Sequence, residues 1–470
     1  MDLTIGLVVT LILYAIFFAF QILYITVPLF IVNGEQRSKM ARKPEDGISI
    51  LIPAYNEEAI IKNCIQAILH VDYKKYEAYI INDGSTDHTM ELLISLLDLK
   101  KVEKEKAGRI SHEPVKGIYQ STIYPSIYII DKENGGKADS PNAGIEFAQY
   151  ETIITLDADS GLDVKSLQII NAAFKDQNVI AAGGMVHIGQ AFYGDYTNPM
   201  PRFNMSHLLR FQFLQYLVNF YLYKITQAKF KALAIISGAF GVFKRDALFE
   251  VGGYRITVGE DMDITMRIQR LIKTKYPTKK ILFIPEAVCF TEGPETFRDL
   301  FKQRIRWQKA FIDCIIIYGR SLLTKFGFSI SLFLIVDALM LGTLTAFPTL
   351  IIPFAMLIKG EGAILALVLF VFSFSLGIFQ SLVAMIITNR FGYVFSWVDK
   401  IRIAFFIPFE IVTYRFLGVL FNTFGTIGYF INKNSWNKVK RVGGQHQTYN
   451  EELHDNGKII DLNEHKKSVG

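Results

Sequence analysis

The sequence predicts a soluble α/β domain with a parallel sheet, carried by α-helical membrane segments. Three observations support this. Uncharged apolar runs longer than 25 residues lie near both ends of the chain. Between them, short apolar runs alternate with polar, Gly-rich turns and stretches of helical spacing. Acidic residues stand directly after several of the short runs, where α/β sheets bind ligands.

Composition narrows the classes. The 470 residues are 51% hydrophobic, 13% aromatic and 20% charged, too apolar for a disordered chain. Lys and Arg total 50 against 44 Asp and Glu, a formal charge of +6, which gives no footprint for nucleic acid. Cys64, Cys289 and Cys314 are far apart without CxxC or Cys/His spacing, so neither a disulfide framework nor a structural zinc site is expected.

The first apolar run, within residues 1–33, is long enough to cross a bilayer. It lacks the basic start of a cleaved signal peptide. Arg37, Lys39, Arg42 and Lys43 follow it, which places the N-terminus outside and the next segment in the cytoplasm. A soluble domain then occupies residues 45–325. Crossings are expected at 326–358, with an interfacial start, and at 363–388; Lys359 to Gly362 make the external turn between them. The last apolar stretch, 400–432, carries Glu410 and Arg415 in its middle. Such charges are costly in lipid, so it reads as an amphipathic interfacial helix or re-entrant pair. Residues 433–470 form a basic and polar cytoplasmic tail, too short for a second folded domain. Three crossings result, with four as the alternative, in a multi-pass protein of the cell membrane.

Inside the soluble domain, residues 48–54 read as a strand leading into a polar turn and a helix. Residues 78–83 repeat the design with Asp83 at the strand end. A third strand, 126–130, leads into Lys132-Glu-Asn-Gly-Gly-Lys137, and a fourth, 152–156, ends in Asp157-Ala-Asp159. Two carboxylates one residue apart suit Mg²⁺ or Mn²⁺, which grips diphosphates. Alone, an Asp-x-Asp is also an ordinary solvated turn. Residues 100–125, rich in Lys and Glu, read as a solvated loop. Residues 190–233 read as amphipathic helix packed on the sheet.

The order Asp83-Gly-Ser, Asp157-Ala-Asp159, Glu260-Asp261 and Gln303-Arg-Ile-Arg-Trp307 resembles the D, DxD, (T)ED, QxxRW signature of family 2 glycosyltransferases. The likeness is greatest to the membrane-integrated polysaccharide synthases for cellulose, hyaluronan and poly-N-acetylglucosamine. Ser237-Gly-Ala-Phe-Gly-Val-Phe243 and Val251-Gly-Gly-Tyr254 match further segments of that group. The resemblance implies a GT-A (Rossmann-like) fold and inverting transfer from a UDP-sugar. It implies donor contacts from Asp83, Lys137, Asp157 and Asp159, with Asp159 on a Mg²⁺ or Mn²⁺ ion. It makes Asp261 the catalytic base, and it places Gln303, Arg304, Arg306 and Trp307 at the acceptor and the diphosphate. Gly259 departs from the family pattern, standing where Thr is common before Glu-Asp.

The chemistry fits those roles. Glycosyl transfer passes through an oxocarbenium-like state, so it needs a base at the acceptor and charge neutralisation at the leaving group. Arg suits bidentate phosphate contact better than Lys does. The expected function is a hexosyltransferase that extends a β-linked polysaccharide from UDP-glucose or UDP-N-acetylglucosamine, processive and coupled to export. The alternative is an integral-membrane transferase adding one or a few sugars to a lipid acceptor. A non-catalytic glycan-binding subunit is disfavoured because every motif is intact. Expected partners are the UDP-sugar, a polysaccharide or glycolipid acceptor and membrane lipid. Three crossings make a thin channel wall, so a second copy or an accessory subunit belongs to the same expectation.

Overall fold

A computed structural model describes residues 3–31, 44–194, 198–346 and 363–432. Helix α1 (Leu3–Ile31) precedes β1 (Ile48–Ala54), α2 (Ile61–Leu69), β2 (Tyr76–Asp83), α3 (Thr89–Leu97), β3 (Leu99–Val102), β4 (Val115–Ser121) and β5 (Ile127–Lys132). Then come α4 (Asp139–Phe147), β6 (Thr152–Leu156), β7 (Ser160–Leu162), α5 (Ser166–Phe174), β8 (Val179–Ile188) and the small ribbon β9 (Phe192–Tyr193) with β10 (Met200–Pro201). Helix α6 (His207–Leu217) continues through a π-helical stretch (Val218–Lys224) into α7 (Ile225–Lys229). The domain ends with β11 (Phe240–Lys244), α8 (Arg245–Glu250), α9 (Glu260–Thr274), β12 (Lys280–Thr291) and the long α10 (Phe297–Lys325).

Ten strands form one sheet in the order β3-β4-β5-β2-β1-β6-β11-β8-β12-β7. Strands β5, β2, β1 and β6 run parallel, as expected from their βα alternation. The sheet as a whole is mixed, because β11 enters antiparallel between β6 and β8. Along β1 the side chains alternate: Ile50 and Ile52 join one buried cluster and Leu51 the other, so both faces are covered. The parallel register sets Asp83 opposite Lys132 at the carboxyl end of the sheet. That edge carries the site.

Residues 100–125 are not the expected solvated loop. They hold most of β3 and all of β4, a hairpin that extends the sheet. Three buried carboxylates tie it down. Glu77 receives Lys104 at 3.2 Å, Glu146 accepts the Arg109 and Ile110 amides at 2.8 and 2.6 Å, and Asp139 accepts the Glu113 amide. Within residues 190–233 the long helical stretch runs only from His207 to Lys229; a 3-10 turn (Gly189–Ala191) and the ribbon of β9 and β10 come first.

Beyond α10 lie α11 (Phe328–Leu332), a π-helical run (Phe333–Leu344), α12 (Ala363–Arg390) and α13 (Trp397–Ile431). Among the described residues, three helices are long and apolar enough to cross a membrane: 11–31 within α1, 367–390 within α12, and α13 itself. The stretch 400–432 therefore lies, up to Ile431, in one continuous helix of 35 residues, Trp397–Ile431, rather than in a re-entrant pair. The described part of 326–358, Phe328–Leu344, is a shorter apolar helix. The basic residues at 37–43, the turn at 359–362 and the tail at 433–470 lie outside the described residues.

Helix α13 packs along α10. Gly425 allows the contact, since a Cβ there would stand 2.5 Å from the Gln308 Cβ. Gln308 donates to the Thr426 hydroxyl at 3.1 Å and Tyr429 donates to Asp313 at 2.8 Å. The apolar helices are also joined by polar groups: Gln380 of α12 donates to Gln21 of α1, and Arg415 of α13 reaches Gln380 at 3.5 Å. The Arg415 charge, expected to be costly in lipid, thus faces protein.

Candidate active site

A cavity of about 320 Å³ opens at the carboxyl end of the parallel strands. Strand β1 supplies Pro53, Ala54 and the following Tyr55, and β2 supplies Asp83. The loop after β5 gives Asn134, Gly136 and Lys137, while Asp157 and Asp159 follow β6. Gln303 and Arg306 close the opposite side from α10. Six of the nine residues singled out in the sequence thus line one space. The other three, Asp261, Arg304 and Trp307, are not among its lining residues.

Asp83 organises its wall through its own carboxylate, which accepts the Gly135 and Gly136 amides at 3.0 and 2.8 Å. Lys132 Nζ approaches it at 2.6 Å and Asp139 at 2.7 Å, with the lysine side chain wholly buried. Gly136 adopts φ +87°, a left-handed turn that glycine makes without strain. These contacts fold residues 132–139 into a rigid loop. Lys132 and Asp139 lie outside the expected site residues; the signal in the sequence is a lysine closing an apolar strand before Gly-Gly-Lys.

Lys137 stands at the centre of the charge arrangement. Its ammonium is 2.9 Å from Asp157 and 3.4 Å from Glu260. Burial pulls the lysine pKa down, but the Asp157 and Glu260 carboxylates outweigh it and hold the group above its ordinary range. Burial pushes the Glu260 carboxyl up; Lys137 opposes that shift, and the Asp261 charge beside it adds to it.

Asp261 lies in the first turn of α9, where its carboxylate accepts the Met262 amide at 2.8 Å and the Gly238 amide at 3.3 Å. Gly238 separates it from Lys137: a Cβ there would lie 3.6 Å from both the Asp261 carboxylate and the Lys137 ammonium. The carboxylate therefore flanks the cavity from the side of α9. Gly259, the departure from the family pattern, also has a physical reason. A Cβ at this position would stand 2.3 Å from the Ala310 Cβ, so glycine lets α9 start directly against α10.

On α10 the motif divides by helical spacing. Gln303 and Arg306 share the cavity face, and the Gln303 Oε1 is buried without a hydrogen-bond partner among the described residues. Arg304 and Trp307 share the adjacent face, with the guanidinium 4.2 Å from the ring centroid. Trp307 is 41% exposed and offers a free ring surface. Arg304 is buried, turned away from the cavity toward Tyr216 and Trp307.

The sequence reading also missed the loop before α10. Gln190 donates to the Gly293 carbonyl at 3.0 Å and receives the Gly293 amide at 3.0 Å. That reciprocal pair holds Glu292 and Glu295 on the cavity wall.

Asp157 and Asp159 both stand on the cavity wall, with Asp157 paired to Lys137. One Asp159 oxygen is taken by Ser160 at 3.1 Å and Thr291 at 3.4 Å. No group of three or more His, Cys, Asp or Glu poised for a metal occurs among the described residues. Such a donor set fits Mg²⁺ or Mn²⁺ held by one or two carboxylates, with a ligand's phosphates and water completing the shell.

Comparison with known proteins agrees. The glycosyl transferase family 2 model matches residues 49–252 and the glycosyl transferase family group 2 model matches residues 152–398. Poly-beta-1,6-N-acetyl-D-glucosamine synthase of Staphylococcus aureus is 29% identical over 287 residues, 59% of this chain and 59% of that protein. The synthase of the same name from Staphylococcus epidermidis is 29% identical over 272 residues, 57% of this chain and 55% of that protein. The matches thus span less than two thirds of these relatives. A mannosyltransferase from Pyrobaculum calidifontis, solved in complex with GDP-Man and Mn²⁺, shares the fold with a TM-score of 0.52 at 15% identity. That match covers 90% of this chain and all of the other.

Proposed function

The chain belongs to the family 2 glycosyltransferases, with a GT-A catalytic domain between apolar helices, and we propose that it extends a β-linked polysaccharide from a UDP-sugar at the membrane. The observation that carries this reading is the single cavity lined at once by Asp83, Lys137, Asp157, Asp159, Gln303 and Arg306. It unites a cationic wall for a diphosphate with acidic residues suited to a divalent ion. Likeness to poly-N-acetylglucosamine synthases favours UDP-N-acetylglucosamine as donor, with UDP-glucose second.

In this reading the nucleoside end rests on the loop that Asp83 organises, and the diphosphate lies between Lys137 and Arg306. Mg²⁺ or Mn²⁺, held by Asp159 beside Asp157, would neutralise diphosphate charge when bound. An acceptor hydroxyl attacks the anomeric carbon from the side opposite the diphosphate. The new C–O bond forms as the bond to the β-phosphate oxygen breaks, and the acceptor proton passes to Asp261. UDP leaves with the bonding electron pair, and the anomeric configuration inverts. Arg306 and Lys137 stabilise that leaving charge in a partly dry site, where such contacts count most. Gln303, with its unpartnered amide oxygen, accepts a hydrogen bond from a sugar hydroxyl. Trp307 supports the acceptor by stacking.

The apolar helices support a place in the cell membrane, and a catalytic domain on the cytoplasmic side would meet the UDP-sugars made there. Purified full-length chain in lipid vesicles, given labelled UDP-N-acetylglucosamine or UDP-glucose, tests the reading. Expected is a long product that a linkage-specific β-glycanase digests. Transfer of one or a few sugars to lipid would replace the polymerase reading, and no transfer from any UDP-sugar would overturn both.

A further inference from the structure

One arginine of α10 is buried without a partner of opposite charge. Arg304 is 6% exposed, lies outside the residues that line the donor cavity and makes no ion pair among the described residues. Its Nε and Nη2 are buried without a hydrogen-bond partner among the described residues. The surroundings of the guanidinium are aromatic: its carbon lies 4.2 Å from the Trp307 ring centroid and 5.9 Å from that of Tyr216 on α6. Trp307 itself is half-exposed.

Stability does not explain this cation. A buried guanidinium with orphaned donors costs free energy that an apolar side chain of similar length would not. Nor is Arg304 needed to seat α10 against its neighbours. The adjoining Gln308 donates to Thr343 at 3.2 Å and to Thr426 of α13 at 3.1 Å, and Lys309 donates to the Asn432 carbonyl at 2.7 Å. What remains is the indole. Residues 304 and 307, three apart, stand on one helix face, which sets the cation against the ring. A half-exposed tryptophan can rotate about its side-chain bonds, and a ring that rotates is a poor surface for stacking. The guanidinium favours one orientation.

We propose that Arg304 is a positioning residue whose guanidinium fixes the Trp307 ring as the platform for the acceptor's terminal sugar. It touches neither donor nor acceptor and acts through the indole, unlike the direct acceptor or diphosphate contact that the motif implies. The proposal rests on the reading of Trp307 as the acceptor contact. An unpaired cation that lowers stability is retained because it preorganises a ring that would otherwise turn.

Arg304→Met in the full chain tests this. Its melting temperature should be unchanged or higher, since an orphaned charge gives way to an apolar side chain. In lipid vesicles, chain extension from UDP-N-acetylglucosamine should fall about tenfold, the scale of a cation–π contact, at unchanged donor KM. Once Trp307→Ala has removed the ring, Arg304→Met should cost nothing further, which a double-mutant cycle reads. With Trp397→Phe and Trp436→Phe, Trp307 is the one tryptophan left. Its time-resolved fluorescence anisotropy should gain a nanosecond component in Arg304→Met that the arginine suppresses. The anisotropy arm needs no sugar donor, so it can fail separately from the UDP-sugar reading. A lowered melting temperature with parallel loss of transfer, additive losses in the cycle, a raised donor KM, or an indole equally still without Arg304 would each overturn the proposal.

Discussion

The Lys137 ammonium lies 2.9 Å from the Asp157 carboxylate, which joins the Gly-Gly-Lys loop to the Asp-Ala-Asp turn across the mouth of the parallel strands. Lys137→Met should raise the donor KM about tenfold to a hundredfold with a smaller fall in kcat, the range of a charge-assisted hydrogen bond. The lysine pKa is raised above its ordinary 10.5, so its contribution to stability is complete below that value. It is lost only as pH rises through the folded value. Donor KM should therefore show no titration from Lys137 through pH 9, a result steady-state kinetics across pH would check.

Lys132 holds two buried carboxylates. Lys132→Met leaves Asp83 and Asp139 buried and unpaired, which costs about 3–5 kcal/mol. The expected readout is a melting temperature lower by roughly 10 °C together with weaker UDP binding. Lys132→Met with Asp139→Asn should recover part of the loss, because one uncompensated charge is gone.

Much of this site was legible because it is local. Asp83, Asp157 and Asp159 each close an apolar strand, and parallel strands bring such ends together. What stayed hidden depends on distant partners. The Lys- and Glu-rich segment 100–125 looks solvated until Glu77, Glu146 and Asp139 are seen to hold it. The entry of β11 between β6 and β8 is set by packing such as Gly184 beneath Phe240, which no local pattern announces. Arg304 was separable from Arg306 by spacing alone, since positions 303 and 306 share one helix face and 304 and 307 the next.

Asp261→Asn keeps the shape of the α9 turn but removes the proton acceptor. Transfer should fall about 10²–10⁴-fold while UDP still binds in calorimetry. Normal turnover in this variant would reassign the base.

Chelation separates the carboxylate pair from mere shape. EDTA should abolish transfer, and Mg²⁺ or Mn²⁺ should restore it. Asp159→Asn should raise the metal concentration needed for half-maximal rate, measured by titration of the apo protein. Full activity in EDTA would remove the ion from the reading.

Gly259 and Ala310 bring the start of the helix that carries Asp261 directly against the helix that carries the Gln303–Trp307 motif. A methyl group at 259 would stand 2.3 Å from the Ala310 methyl and 3.2 Å from its Cα, so something must shift. The contacts below it resist: Asp313 is held by Thr257 and Tyr429 at 2.8 Å each, and Asp263 by Tyr318 at 2.7 Å. Strain should therefore emerge as displacement of Asp261 relative to Arg306, at a cost of about 1–3 kcal/mol. Gly259→Ala is expected to lower kcat about tenfold and to raise the donor KM with it, because Glu260, next in the chain, holds Lys137 at 3.4 Å. Ala310→Gly removes the opposing methyl, so the double variant should regain most of that loss in a double-mutant cycle. Additive losses would show that glycine at 259 serves backbone conformation rather than helix approach.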